Sequence, residues 1–149
     1  EELFRHLLDE FEPDREIFTQ IRQDLLAHME GEERYFYPAL KQGEDLTFLT
    51  NEAIVEHETA RTLLNKIAKT AETSEMWLPH VKVLSQIVDM HIEEEESDVF
   101  KKAKKALSKT QQTEIAQRFQ QGKTNSQRIA GEFATKPKTR KTSKRGKRS

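Results

Sequence analysis

Apolar residues in this chain return every three or four positions, and no segment alternates in polarity over the length of a strand. That period is the strongest constraint on the fold, because it puts a continuous apolar stripe on one side of a helix. Leu3, Phe4, Leu7, Leu8 and Phe11 form the first stripe, which Pro13 and Asp14 end. A second helix is predicted from about Asp14 to Leu40, with Ile17, Ile21, Leu25, His28, Glu32 and Tyr35 inward. "KQGED" is a turn. A third helix is predicted from about Leu46 to Ala71, with Ala53, Ile54, His57, Ala60, Leu64 and Ile67 inward. After "ETSE", a fourth runs from about Glu75 to Leu107, with Val81, Leu84, Val88, His91, Glu95 and Val99 inward. A short fifth helix is expected from about Lys109 to Gln121, opened by a capping box of Ser108 and Gln111. Only five glycines and four prolines interrupt the chain. Four long helices on short links predict an all-α, up-down-up-down four-helix bundle with a short fifth helix.

The charge is distributed unevenly. The formal net charge is −1, yet residues 136–149 hold eight Lys/Arg and no acid, so the tail is near +8 and residues 1–135 near −9. From Ala134 onward the apolar pattern stops, and the expectation is a folded domain over 1–133 followed by a disordered basic tail over 134–149. The chain begins at Glu1, already in helical rhythm and uncapped, so the first helix is expected to be truncated at its N-terminal end. The sequence has no cysteine, which excludes disulfide frameworks, iron–sulfur clusters and thiol chemistry and fits a cytoplasmic setting. It also has no apolar run long enough to span a membrane.

Two segments carry the chemistry. "HMEGEERYFYP" (His28–Pro38) and "HIEEEESDVFK" (His91–Lys101) share a pattern in register, 63 residues apart: His, a large aliphatic, Glu, any residue, Glu, Glu. Residues i and i+4 share a helix face. His28 with Glu32, and His91 with Glu95, therefore point inward from two helices, and His57 points inward from a third. An unpaired buried charge costs several kcal/mol, on the order of the net stability of a domain. A metal cation changes that balance, since it takes carboxylate charge and imidazole lone pairs together. Imidazole with carboxylate suits iron, zinc or manganese better than calcium, and a carboxylate with two oxygens can bridge two metals. Glu93 and Glu94 are expected to face solvent, and Glu96 lies beside the inner face. Acidic runs are more often solvated faces and His-x3-Glu pairs are common; the weight rests on two matched pairs plus His57. Tyr35 and Tyr37 lie beside the first motif, suited to packing or to redox chemistry.

Other templates do not fit. No acid stands three residues before any histidine, which excludes the Glu-x-x-His arrangement. Arg61, four residues after His57, breaks a zincin pattern. No phosphate-binding glycine loop or nucleophile elbow occurs. His6 is expected at the surface and His80 too far from His91 to share a metal.

In these motifs the chain resembles the hemerythrin-like (HHE cation-binding) family: "HMEGEERYFYP", then "VEHETAR", then "HIEEEESDVF", in order, within about residues 1–122. The resemblance implies a four-helix bundle around a non-haem di-iron centre. It makes His28, His57 and His91 terminal ligands, and Glu32 and Glu95 bridging ones, with zinc or manganese as alternative metals. Family members carry or sense O2, sense iron, or answer oxidative and nitrosative stress. The family's first-helix histidine would fall upstream of Glu1. Oxygen carriers also have a histidine where this chain has Arg61, which cannot ligate a metal and argues against respiratory O2 carriage.

Three functions follow as expectations. One is a di-iron protein that binds or senses O2, NO or iron. Another is an enzyme on the same centre: ferroxidase, peroxidase or NO reduction. The third is a metal-free structural bundle whose 136–149 tail contacts nucleic acid or another anionic partner weakly and nonspecifically. No membrane partner is expected.

Overall fold

The structure, a computed structural model, describes residues 14–41, 44–118 and 120–121. The expected first helix and the basic tail lie outside the described residues. Among the described residues every regular element is helical. Arg15–Gly31 (α1) passes through a π-helical turn, Glu32–Phe36, into Tyr37–Leu40 (α2). Glu44–Lys69 (α3) follows, then Trp77–Glu94 (α4). A second π turn, Glu95–Val99, joins α4 to Phe100–Ala106 (α5), and residues 109–118 form α6. No described helix is long and apolar enough to cross a membrane.

The helix ends have local causes. The Asp14 side chain accepts the backbone N–H groups of Glu16 (2.9 Å) and Ile17 (3.1 Å), which caps α1. Gln111 accepts from the Ser108 N–H at 2.9 Å while the Ser108 hydroxyl accepts from the Gln111 N–H at 3.2 Å, so the expected capping box forms. Arg15 reaches across to the carbonyls of Ala68 and Thr70 at the end of α3. Arg22 meets Asn65 farther along, and Glu33 meets Arg61. Pairings that run in opposite directions along the two helices make α1 and α3 antiparallel, and His57 beside His91 continues the alternation into α4.

Two apolar clusters divide the bundle. Phe18, Ile21, Met29, Ala60, Leu64, Ile67, Trp77, Val81 and Leu84 fill one end. Trp77 is fully buried there, its indole edge-on to Phe18 at 5.8 Å between centroids. Leu40, Leu46, Val99 and Ala103 fill the other end. Between them lies a layer of buried polar side chains: Glu32, His57, His91 and Glu95.

The π turns are the main local departure from the expected helices. Each begins on the inward glutamate, and the next α segment starts with an N–H bonded five residues back, Tyr37 to Glu32 and Phe100 to Glu95. In an α-helix a five-residue step ends roughly 140° from its start. The wider π turn brings it back towards the same face. Tyr37 is therefore the buried tyrosine, at 1% exposure, and Tyr35, the expected inner residue, is only half-buried.

Candidate metal centre

All five residues expected to bind metal come together. His28 Nε2 lies 2.7 Å from Glu32 Oε1, and His57 Nε2 lies 3.1 Å from Glu32 Oε2. His91 Nε2 is 3.1 Å from His57 Nε2 and 3.6 Å from both Glu32 Oε2 and Glu95 Oε2. These contacts form two groups: Glu32 with His57 and His91, and His28 with Glu32 and Glu95, each presenting ligand atoms within 4.8 Å of one another. Glu32 belongs to both. Four of the five are buried, and His28 is half-exposed at the edge. Glu93 and Glu96 face solvent, whereas Glu94, expected outward as well, is half-buried.

The outer contacts fix which nitrogen of each imidazole faces the centre. Nδ1 of His57 is 2.8 Å from Glu33 Oε1, and Nδ1 of His91 is 2.6 Å from Glu56 Oε2. A carboxylate only accepts, so both Nδ1 atoms carry protons and donate outward. Each Nε2 then directs its lone pair inward, the arrangement in which a carboxylate orients a metal-binding histidine. Glu33 is itself clamped by Arg61, whose guanidinium donates to both its oxygens at 2.8 and 3.0 Å. Arg61 thus acts on the centre from outside, by holding the carboxylate that orients His57. Sequence reading missed Glu33 and Glu56 in this role, because neither shares the i, i+4 stripe of its own helix with a histidine. Their function exists only across helices.

Two imidazole lone pairs 3.1 Å apart repel unless a proton or a cation lies between them. The triangle of His57 Nε2, His91 Nε2 and Glu32 Oε2 has sides of 3.1, 3.6 and 3.1 Å. A point equidistant from atoms so spaced lies about 1.9 Å from each, close to the roughly 2.0–2.2 Å of metal bonds to histidine nitrogen and carboxylate oxygen. The donor set therefore fits a first-row metal ion with little rearrangement.

Without a metal, protons fill these positions. Burial works against a charge on His91, but Glu32, Glu95 and Glu56 outweigh it and raise the imidazole to about 9. His28 is raised in the same way, with Glu32 opposing burial. Burial also works against the Glu32 carboxylate, but hydrogen bonds from His28, His57 and His91 hold it well below the usual range. Glu95 goes the other way: burial, and then the neighbouring Glu32 charge, push it up to about 7. Glu33 is held down by Arg61 and His57 against its partial burial. One carboxylate of the pair is thus firmly ionised and the other keeps its proton near neutrality, as expected of two carboxylates sharing a site.

The centre is open on one side. His28 and Glu32 border a cavity of about 560 Å³ walled by apolar groups of Phe36, Phe100, Leu107 and Ile115, with Lys104 and Gln112 also on it. Tyr37 also reaches the centre. Its hydroxyl donates to Glu95 Oε1 at 2.7 Å and lies 3.2 Å from Glu32 Oε2 and 3.4 Å from His57 Nε2. Burial, together with the charges of Glu32 and Glu95, raises its phenol far above the ordinary tyrosine value.

The hemerythrin HHE cation-binding domain matches residues 1–103. The chain belongs to the hemerythrin HHE family. This HHE chain is also 32% identical over 137 residues to a protein of Nostoc sp. (strain PCC 7120 / SAG 25.82 / UTEX 2576) named DNA nickase. That match covers 89% of the chain but 38% of the Nostoc protein, so the HHE chain spans well under half the length of this relative. No solved structure matches the chain significantly. Family and geometry agree on cation binding by a His/Glu cluster.

Proposed function

We propose that this HHE domain holds a dinuclear non-haem iron centre and uses it to bind or sense a small ligand, O2 or NO, or iron itself. The observation that carries the reading is the sharing of Glu32 between two three-residue groups: one carboxylate with an oxygen towards each is suited to bridge two cations. His57 and His91 would hold one iron with Glu32. His28, Glu32 and Glu95 would hold the other, and Glu95 could also reach the first through the oxygen 3.6 Å from His91. Bound iron supplies a redox-active Lewis acid with room for an exogenous ligand. The protein supplies the rest: Glu33 and Glu56 orient the imidazoles, the apolar clusters keep bulk water out, and the cavity beside His28 gives a small apolar molecule a route inward. Arg61 in place of a further histidine supports sensing or turnover over reversible carriage. Zinc or manganese would suit the same donors. A reducing, cytoplasmic setting is in keeping with the absence of cysteine.

The test is the metal content of protein expressed with iron, beside a His91→Ala, Glu95→Ala double variant. About two irons per chain, lost in the variant, support the centre. An intact helical chain without metal refutes it.

A second reading rests on the name of the Nostoc relative and on the tail. In it the domain belongs to a DNA-handling protein, and residues 136–149 contact phosphates through their eight Lys/Arg. Glu32, at 2% exposure, and Glu95, at 3%, are too deeply buried for a duplex phosphodiester to touch. The centre would then govern the DNA-handling function without itself cutting. Binding through the tail should fall steeply with salt, since log K drops by about 0.9 per phosphate contact for each tenfold rise. It should disappear when 136–149 is deleted. Salt-insensitive binding would exclude this route.

A further inference from the structure

Tyr37 is built into the centre in a way that packing alone does not require. It is 1% exposed, its ring lies against His57 at 5.6 Å between centroids, and the π turn starting at Glu32 brings it onto the inner face. The register-equivalent residue of the second motif, 63 positions later, is Phe100, which has no hydroxyl. A phenylalanine at position 37 would fill nearly the same volume. The hydroxyl instead meets Glu95, Glu32 and His57 at 2.7, 3.2 and 3.4 Å. The five residues assigned to the metals meet one another over the same range, 2.7 to 3.6 Å. Atoms bound to one cation at roughly 2.0–2.2 Å are separated by about 3 Å when they are adjacent. Tyr37 Oη is thus spaced like another ligand atom, next to His57.

We propose that Tyr37 is a sixth protein ligand of the centre, binding ferric iron through its phenolate oxygen beside His57 and His91. The proposal rests on the iron reading above. Without a metal the hydroxyl donates to Glu95 and ties the two carboxylates together, which keeps the donors gathered. On coordination the O–H bond breaks heterolytically. The oxygen keeps the electron pair and shares it with iron, the proton leaves to solvent, and the oxidation state of the iron does not change. Phenolate is a hard anionic oxygen donor, suited to Fe(III), and its charge offsets the cation where bulk water cannot. Ligation would leave the iron held by His28 as the one facing the cavity, so that exogenous ligands meet a single open metal.

The sequence contains two tyrosines, so the assignment can be made cleanly. The full chain and its Tyr37→Phe and Tyr35→Phe variants are loaded with iron in air, assayed for iron and helical content, and compared by visible absorption and resonance Raman. The expected result is a phenolate-to-iron(III) charge-transfer band with enhanced tyrosine ring modes in the native chain and in Tyr35→Phe, absent from Tyr37→Phe. If Tyr37→Phe does not fold, the band in the other two proteins still decides. Iron-loaded native protein without phenolate modes overturns the ligation and leaves the iron centre standing. A native chain that takes up no iron overturns both.

Discussion

The two His-x3-Glu-Glu motifs are nearly the same in sequence and do different work in the fold. In the first, Glu32 faces both candidate metal-binding groups, and Glu33 turns sideways to orient His57 under the clamp of Arg61. In the second, Glu95 serves one group and Glu96 is exposed; His91 takes its orienting carboxylate from Glu56 on another helix. Both motifs enter a π turn at the inward glutamate. The first turn delivers the Tyr37 hydroxyl to the centre. The second delivers Phe100, 40% exposed, to the cavity wall against Phe36 at 5.4 Å. The histidines differ as well, His28 being half-exposed and His91 buried. A repeat in sequence thus yields different surroundings for equivalent positions, because each motif meets different neighbours.

The sharpest way to break this comparison is to exchange the carboxylates' fates. Glu32→Ala should abolish metal binding at both positions, whereas Glu95→Ala should retain about one metal equivalent on the remaining His57 and His91 group. Equal losses by elemental analysis would mean that the motifs are equivalent. The next effect concerns the outer glutamates. Glu33→Ala should weaken metal affinity about 10- to 100-fold, as removal of an orienting carboxylate does, and Arg61→Ala should move it the same way. Glu96→Ala should leave titrations by competing chelator unchanged.

Protonation separates the motifs in the metal-free protein. Glu32 is lowered in the fold, so its contribution is present above the ordinary glutamate value of 4.5 and is lost only in acid. Glu95 is raised from 4.5 to about 7, so its contribution is complete in acid and disappears as pH rises through about 7. His91, raised from 6.5 to about 9, adds a loss between those values. The melting temperature of the metal-free chain should therefore fall from about pH 5 to about pH 9, and Glu95→Gln should flatten the lower half of that slope. With metal bound the trend should reverse, since binding displaces these protons. The smallest effect belongs to the exposed ring: Phe100→Ala should cost about 1 kcal/mol in thermal unfolding, within the range of a single aromatic contact, and leave metal content intact.

Much of this architecture is legible in the sequence. The apolar period fixes helices and their inner faces, because burying one stripe of a helix needs no information beyond its own spacing. The same spacing places His28, Glu32, His57, His91 and Glu95 inward, and Ser108 with Gln111 declares its helix start. What the period could not give is where it fails. An α-helical count puts Tyr35 inside, whereas the π turn from Glu32 changes the phase and selects Tyr37; nothing in the residue types marks that shift. The count also assigns no role to Glu33 or Glu56, since each is off-stripe on its own helix. Only the lateral packing of three helices brings Glu33 to His57 and Glu56 to His91. Local periodicity determines which side chains enter a core. Their partners across the core are set by helix register and separation, which many residues specify together, and those partners decide which carboxylate keeps its proton and which imidazole nitrogen faces the centre.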